Sequence, residues 1–389
     1  MRNVYLDHAA TTAVHPKVLE SMLPYLQDKL GNPSSIYSSG REAKAAVETA
    51  RAQVAALINA QPDEIIFTSG GTEADNLALT GVATALSQQG RHIITSRIEH
   101  HAVLHTAEEL ERKGFQVTYL PVDPDGLINP DLLEQALTPE TIMVSIIFAN
   151  NEIGTIEPID RLAKIAKKHG VIFHTDAVQA VGNIPIDVEE LNIDLLSLSG
   201  HKIYGPKGIG ALYVRRGMNI KPLMQGGSQE RKLRPGTENV PGIVGLGKAA
   251  ELARIELPAR SAHLTELRDY LIDGILSSIA HVRLNGHRTL RLPGNANFSF
   301  EFIEGESLLL SLDMAGIAAS SGSACTSGSL DPSHVLMAIG LSHEVAHGSL
   351  RLTLGRENNK EDVDYVLSVL PDIVGRLRAM SPLTPAKEA

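Results

Sequence analysis

The chain has one cysteine and no tryptophan among its 389 residues, and only 4% of the residues are aromatic. A single cysteine excludes an intrachain disulfide framework, and we expect the protein in the reducing cytoplasm. The scarcity of aromatic side chains argues against stacking platforms for single-stranded nucleic acid. The net charge of −10 also argues against nucleic acid as a direct partner.

Long hydrophobic runs are absent as well. No apolar run approaches the roughly 20 residues of a membrane-spanning helix, and Met1–Asp7 lacks the apolar core of a signal peptide. We see no fixed-period repeat and no low-complexity tract. With 43% hydrophobic and 21% charged residues, the composition is that of a globular protein with a large core and two domains, without a membrane partner.

Short apolar runs alternate with helical patterns through the first two-thirds of the chain. The predicted strands are 64–68, 92–96, 117–120, 141–148, 171–175, 194–199 and 210–214, and the predicted helices between them include 40–58, 73–89, 102–113 and 159–169. Such alternation is typical of a mainly parallel sheet with helices on both faces. In the last third, helical patterns at 262–278 and 360–377 bracket short strands at 295–302 and 349–354, which predicts a smaller α+β domain.

The lone cysteine, Cys325, lies in a segment of small residues that extends from Ala318 to Ser329. A cysteine kept for packing normally lies among large aliphatic side chains, whereas a glycine-flanked loop suits a sulfur atom that must move. Taken alone, the segment favours an incidental surface thiol, because a lone cysteine carries no specific signature.

A glycine turn joins the first predicted strand to a helix. Gly70 and Gly71 are followed by Thr72, which we expect to cap the helix, with Asp75 three residues on. Free backbone N–H groups at such a turn bind phosphate, although a plain strand-to-helix connection explains the segment equally well. The segment matches neither the nucleotide P-loop nor G-x-G-x-x-G, so a different phosphate is indicated.

Two further strands end in polar residues. Asp176 follows strand 171–175, and an acid at this end of a parallel strand lies at the crevice where ligands bind. Such a carboxylate can keep a pyridine nitrogen protonated, although a helix-capping role is the alternative.

The next strand is followed by Ser199, His201 and Lys202. The first two offer donors for a phosphate, and the lysine could form a Schiff base with pyridoxal phosphate. The order of glycine turn, acid and Ser-x-His-Lys is stronger evidence than the lysine alone.

These motifs resemble those of the fold-type-I pyridoxal phosphate enzymes, and specifically the cysteine desulfurases of the nitrogen-fixation and iron–sulfur-cluster type in the class-V aminotransferase family. The resemblance extends from segment 5–12 to segment 351–356. It implies an α/β fold-type-I transferase with a mainly parallel seven-stranded sheet in the large domain and a smaller α+β domain. We predict a large domain at 15–257, a small domain at 1–14 and 258–379 that carries the Cys325 loop, and a flexible tail at 380–389.

The resemblance also implies roles for single residues. Lys202 carries the cofactor and acts as the base at the substrate α-carbon, Asp176 pairs with the pyridinium nitrogen, and His100 stacks on the ring and moves protons. The other implied cofactor-binding residues are Gly71, Thr72, Asn151, Gln179, Ser199, His201 and, from the partner subunit of a homodimer with shared sites, Thr237. The implied residues for the substrate carboxylate are Arg351, Asn151 and Asn32.

Arg351 is also supported by its surroundings in the sequence. It alternates with Leu350, Leu352 and Leu354, so it faces away from their apolar side of the strand. Its planar guanidinium is suited to a carboxylate.

The implied activity is that of a sulfurtransferase. The Cys325 thiolate attacks the sulfur of cofactor-bound L-cysteine, L-alanine leaves, and Cys325 retains a persulfide. The sulfur then passes to an acceptor protein for iron–sulfur cluster assembly or for tRNA or cofactor thiolation. The long Ser/Gly segment resembles the extended-loop subgroup, which serves protein acceptors through loop motion.

Three other functions remain open at this point. The first is another enzyme on the same scaffold, such as a selenocysteine lyase or an aminotransferase-like enzyme that needs no thiol. The second is a zinc hydrolase, because 343–347 reads His-Glu-Val-Ala-His and matches H-E-x-x-H. This stretch is short and lacks an obvious third ligand, which favours a plain helical turn without a metal ion. The third is a non-catalytic assembly subunit, against which an intact Lys202, Asp176 and Cys325 argue.

The sequence departs from the family pattern at two places. Tyr37 stands where many relatives have histidine, and the chain ends in a short segment, 382–389, without the longer tail with which some relatives dock an iron–sulfur scaffold. The identity of the acceptor therefore stays open.

Overall fold

The computed structural model describes residues 2–321 and 332–384. The strands are β1 (Val4–Tyr5), β2 (Ile65–Thr68), β3 (His92–Ser96), β4 (Gln116–Leu120), β5 (Thr141–Ser145), β6 (Ile172–Asp176), β7 (Leu195–Ser199), β8 (Gly210–Val214), β9 (Val282–Asn285), β10 (Asn295–Phe300), β11 (Ile317–Ala318) and β12 (Ser349–Thr353). The α-helices are α1 (Pro16–Gln27), α2 (Ser38–Leu57), α3 (Gly71–Leu86), α4 (His101–Arg112), α5 (Pro130–Ala136), α6 (Ile159–Lys168), α7 (Val240–Ser278), α8 (Gly305–Met314), α9 (His334–Ala338), α10 (His343–His347) and α11 (Lys360–Met380).

The largest sheet has seven strands in the order β2-β8-β7-β6-β5-β3-β4. The strands from β7 to β4 pair in parallel, whereas β8 is antiparallel to β2 and to β7. The predicted seven-stranded, mainly parallel sheet is therefore confirmed. The largest difference is that β5 ends at Ser145 rather than at 148, although Ile146 and Phe148 still donate hydrogen bonds to β6.

Helices cover both faces of this sheet because its strands are apolar on both sides. Ile65 and Phe67 pack in a cluster with α2, α6 and the first part of α7, whereas Ile66 packs on the opposite face with α3 and α4. Because the strands from β7 to β4 are parallel, their carboxyl ends lie at the same edge of the sheet. Polar residues such as Asp176 and Ser199 lie at those ends.

A second, antiparallel sheet has the order β12-β10-β9 and packs against α7, α8 and α11. The parallel pair β1–β11 attaches the N-terminal residues to this part of the molecule. The structure confirms the predicted strands at 295–302 and 349–354 and the predicted helices at 262–278 and 360–377. The helix at 262–278 is the end of a longer helix, α7.

The long helix α7 was only partly predicted. Glycines and the internal Pro258 argue against a helix before residue 262, yet α7 is continuous from residue 240 to residue 278. Its buried residues up to Ala253 pack with the large sheet, and those from Leu264 onward pack with the small one. The division at 257/258 falls inside this helix and stays a prediction. Among the described residues, no helix is long and apolar enough to cross a membrane.

Candidate active site

A cavity of about 260 Å³ lies where the parallel strands of the large sheet end, next to β12. Ten predicted site residues line it: Gly71, Thr72, His100, Asn151, Asp176, Gln179, Ser199, His201, Lys202 and Arg351. They come from connections and strands that are far apart in the sequence. The fold therefore brings together the groups that the sequence analysis selected one by one.

The N-terminus of α3 forms one end of the cavity. The helix begins at Gly71 with Gly70 as its N-cap, and no side chain caps it. The expectation that Thr72 caps the helix was therefore wrong, because Thr72 already lies within the first turn. A Cβ atom on Gly71 would lie 2.5 Å from Cγ2 of Val178, so the close approach of the helix to the neighbouring connection requires glycine.

This end of the cavity has groups that are suited to a phosphate. The first N–H groups of α3 have no partner within the helix and carry the positive end of its dipole. Thr72, Ser199 and His201 line the cavity beside them. Burial lowers the pKa of His201 to about 4, with the charges of Lys202 and Lys207 acting in the same direction, so its ring is neutral at pH 7.

Asp176 ends β6 and is buried. Its Oδ1 accepts a hydrogen bond of 2.9 Å from the N–H of Val178. Burial raises the pKa of this carboxyl to about 6, against the lowering effects of that hydrogen bond and of the charge on Lys202. A cation placed against Asp176 would lower this pKa again and favour the ionised form, which suits a protonated ring nitrogen.

Lys202 closes the short helical turn after β7. Its Nζ donates hydrogen bonds to the carbonyl oxygens of Ala9 and, at 2.7 Å, of Ala10. Gln179 also donates to Ala9 O, at 3.0 Å. The N-terminal segment thus supplies the acceptors that fix the lysine at the cavity wall.

His100 is the N-cap of α4, and its Nδ1 accepts from the N–H of Ala102 at 3.1 Å. Burial lowers the pKa of His100 to about 4, and the nearby Lys202 adds to this effect. The ring is therefore neutral at pH 7, and its proton lies on Nε2 because Nδ1 accepts from Ala102.

Arg351 lies in β12 with 3% of its side chain exposed. Its Nη1 donates to the carbonyl oxygen of Asn151, and its Nη2 donates to Oδ1 of Asp7, both at 2.9 Å. Leu350 and Leu352 pack in the core of the small sheet, as the alternation predicts, so the guanidinium projects to the cavity side.

Two predicted site residues are described by the structure but do not line the cavity. Asn32 is exposed, and its Oδ1 accepts from the N–H of Ser34 at 2.9 Å. Thr237 lines a separate cavity of about 220 Å³ with Ser69 and other residues. Cys325 lies outside the described residues. The roles of all three stay predictions.

Residues 4–366 match the family model described as "Aminotransferase class-V". The chain belongs to this family. Within it, the chain is 60% identical to cysteine desulfurase IscS of Methanosarcina thermophila over 382 residues, which cover 98% of this chain and 94% of the relative. It is 58% identical to cysteine desulfurase IscS of Dictyoglomus turgidum, with 98% and 97% of the two chains covered. The predicted resemblance to the cysteine desulfurases is confirmed.

Solved structures of this family show the same fold. A NifS-like protein superposes with a TM-score of 0.91 at 41% identity, covering 97% of this chain and all (100%) of that one. A structure described as SspA in complex with cysteine superposes with a TM-score of 0.81 at 41% identity, covering 90% and 99% of the two chains. The predicted fold class is therefore confirmed.

The sequence analysis of this class-V family member missed two buried acids, one that lines the cavity and one next to the lining residue His100. Asp75 lines the cavity from α3, and its Oδ1 lies 3.7 Å from Nε2 of the buried His174. Burial and the neighbouring Asp176 raise the pKa of Asp75. Glu99 accepts from Ser96 Oγ at 2.5 Å and from a backbone N–H at 2.9 Å, and burial raises its pKa to about 8. Its position after β3 was a usable signal, since the same rule selected Asp176.

The H-E-x-x-H segment forms α10. The rings of His343 and His347 lie 4.6 Å apart on this helix. Within 2–321 and 332–384, no group of three or more histidine, cysteine or acidic side chains is arranged to hold a metal ion. The described residues thus offer no support for a zinc hydrolase.

Proposed function

We propose that the protein is a pyridoxal phosphate-dependent cysteine desulfurase that converts L-cysteine to L-alanine and leaves a persulfide on Cys325. The observation that carries the proposal is that Lys202, Asp176 and Arg351 meet in one cavity. The full-length similarity to proteins named cysteine desulfurase supports the same activity.

The residues present fit the cofactor. A phosphate fits the start of α3 at Gly71, with Thr72, Ser199 and His201 as further donors. The buried Asp176 is suited to hold a proton on the ring nitrogen, and the cavity volume admits a small aromatic ligand. When bound, pyridoxal phosphate supplies an electron sink for bonds at the α- and β-carbons of an amino acid.

The chain's own residues supply binding and proton transfer. Lys202 would hold the cofactor through its amine, and the same amine is the proposed base for the proton on the substrate α-carbon. Its position against Ala9 and Ala10 keeps the amine at the cavity wall. The neutral His100 would stack on the ring of the cofactor and could pass on a proton, and Gln179 and Asn151 line the same cavity.

The substrate carboxylate binds at Arg351. A buried guanidinium in a fixed strand selects and orients a carboxylate, which places the substrate α-carbon near Lys202. Asn32 remains a proposed contributor to this subsite.

Sulfur transfer is assigned to Cys325 on the family resemblance. Its thiolate attacks the substrate sulfur, an S–S bond forms and the bond from sulfur to the β-carbon breaks. The electron pair of the broken bond stays with the carbon fragment, which takes up protons and leaves as L-alanine. A reductant then releases sulfide, or an acceptor protein takes the sulfur.

We further propose a cytoplasmic homodimer with shared active sites. Thr237 lines a cavity separate from that of Lys202 in its own chain, so a role at the phosphate falls to the partner subunit's Thr237. The sulfur acceptor is a protein, either an iron–sulfur scaffold or a thiolation enzyme.

The experiment that tests the activity is to incubate the protein with L-cysteine and a reductant and to measure alanine and sulfide together. Equal amounts of both are expected, and Cys325→Ser should form neither above background while keeping the cofactor absorbance. Alanine formation that persists in Cys325→Ser would contradict the role of the thiol. Cofactor absorbance in the unaltered protein without alanine would instead favour a selenocysteine lyase or an aminotransferase.

A further inference from the structure

Arg351 has an acidic partner for which the proposed reaction has no assigned use. Nη2 of Arg351 lies 2.9 Å from Oδ1 of Asp7, and the exposed fractions of the two side chains are 3% and 20%. The pair is therefore shielded from water on the arginine side and only slightly open on the aspartate side. Such an ion pair is stronger than one on the surface.

The surrounding backbone holds Asp7 in place. The hydroxyl of Tyr5 donates to the carbonyl oxygen of Asp7 at 3.0 Å, and Asp7 forms a parallel β-bridge with Thr353. Thr353 is two residues after Arg351 in β12. The β-bridge to β12 thus places Asp7 beside Arg351, and the contact is not one between flexible surface side chains.

Both terminal nitrogens of the guanidinium are engaged before any substrate binds. Nη1 donates to the carbonyl oxygen of Asn151, and Nη2 donates to Asp7. The remaining nitrogen, Nε, is buried and makes no hydrogen bond to the residues that the structure describes. Each terminal nitrogen keeps a second N–H group, but a substrate carboxylate that bonds to Nη2 competes there with an existing partner.

The replaced partner is expected to be Asp7 for reasons of charge. Arg351 and Asp7 together are neutral, so a second carboxylate at the same guanidinium leaves a net negative charge in a site shielded from water. The carbonyl oxygen of Asn151 carries no net charge and does not repel the substrate. The buried Glu152, which accepts a hydrogen bond from Ser333, is a further acid in this region.

We propose that Asp7 is the resting counter-ion of Arg351, that the substrate carboxylate replaces it at Nη2, and that Asp7 thereby lowers the affinity of the site for amino acids. The inference rests on the proposed binding of the substrate carboxylate at Arg351. Asp7 acts through Arg351 and is a positioning residue. It keeps the arginine oriented when the site is empty, and it makes substrate binding weaker and more readily reversible.

The test is the steady-state kinetics of Asp7→Asn with L-cysteine. The amide oxygen of asparagine can still accept from Nη2, but the competing negative charge is gone. The KM for L-cysteine should fall about tenfold, which corresponds to ~1.4 kcal/mol, with kcat changed by less than about threefold. The inhibition constant of L-alanine should fall by a similar factor, whereas that of cysteamine, which has no carboxylate, should stay unchanged.

A matched control is Asp269→Asn. Asp269 accepts from Arg288 at 2.8 Å and from Arg268 at 2.9 Å, and it does not line the cavity. This substitution should leave the KM for L-cysteine unchanged. If Asp7→Asn does not yield a folded, cofactor-binding protein, Asp7→Ser removes the charge, keeps an oxygen acceptor and is measured in the same way.

An unchanged or higher KM in the folded Asp7 variant would overturn the inference, because Asp7 would then be neutral to binding or a required support. An equal change for cysteamine would also overturn it, since the effect would not involve the carboxylate. Failure of the unaltered protein to form alanine from L-cysteine would instead refute the proposed function, so the two failures are distinguishable.

Discussion

Single buried residues set the charges at the cavity. Burial keeps His100 and His201 neutral at pH 7 and raises the pKa values of Asp176 and Glu99. At pH 7 the site therefore has two neutral imidazole rings, and the nearby Glu99 is protonated. Lys202 and Arg351 are the cations among its lining residues, which favours a ligand that carries negative groups at both ends.

Glu99 gives this charge pattern a measurable consequence for stability. Burial raises its pKa from 4.5 to about 8, so the folded protein binds more protons than the unfolded chain between these values. The stabilising contribution is complete below pH 4.5 and is lost as the pH rises toward 8. We expect the free energy of unfolding to fall by about 2 kcal/mol between pH 6.5 and pH 8 from this group.

The measurement is thermal or denaturant unfolding of the unaltered protein and of Glu99→Gln at pH 6.5 and pH 8. The glutamine variant should show a smaller loss of stability over this interval. Glu140→Gln, at an exposed residue before β5, is the control and should behave like the unaltered protein. Buried histidines such as His174 titrate below this interval and do not interfere. An equal loss in Glu99→Gln would contradict the assignment.

The residues that were predictable from the sequence are those with a local pattern. Asp176 and Lys202 follow predicted strands, and Arg351 alternates with leucines, so each had a definite position before the structure was known. Asp75 lies near the start of α3, in its second turn. Only the packing of that helix against β6 and β7 shows that Asp75 is buried. Such acids have no periodic signal, because their burial depends on contacts between distant elements.

At the scale of the elements, the start of α3 is the part of the fold to which we assign the proposed phosphate site. Gly70 and Gly71 are adjacent, but they have different surroundings. An added Cβ at Gly71 would lie 2.5 Å from Val178, whereas one at Gly70 would have no other heavy atom within 4 Å. Gly70 has a φ of 161°, an extended conformation that other residues also adopt.

This difference predicts the effect of alanine at each position. Gly71→Ala should displace the helix start or Val178 and raise the dissociation constant of pyridoxal phosphate about tenfold or more. Gly70→Ala should change that constant by less than about threefold. Equilibrium dialysis of both variants against pyridoxal phosphate measures the effect. Equal constants for the two variants would show that the close packing at Gly71 does not support the phosphate site.

The elements differed in how well the sequence predicted them. The strands of the large sheet were predicted within a few residues because their apolar runs are bounded by polar turns. The first part of α7 was missed, since its glycines and prolines oppose a helix locally. The contacts of α7 with α1 and α2 stabilise it in the folded protein. Tertiary packing thus overrides local preference in this helix.

At the scale of the whole molecule, the cavity takes its lining from both sheets. The large sheet supplies Asp176 and the turn that carries Lys202, and the small antiparallel sheet supplies Arg351. The N-terminal segment connects the two parts, because Ala9 and Ala10 contact Lys202 while Asp7 contacts Arg351. The sequence predicted both sheets, but it did not show that residues 7–10 join the two ends of the site.

The central claim is that the Lys202 cavity activates L-cysteine for sulfur transfer to Cys325. The most direct measurement is mass spectrometry of the peptide that contains Cys325, after incubation of the cofactor-loaded protein with L-cysteine without reductant. The account predicts a gain of one sulfur atom on this peptide in the unaltered protein and in Lys207→Ala, an exposed-lysine control, and no gain in Lys202→Ala. An equal gain in Lys202→Ala, or no gain in unaltered protein that holds the cofactor, would contradict it.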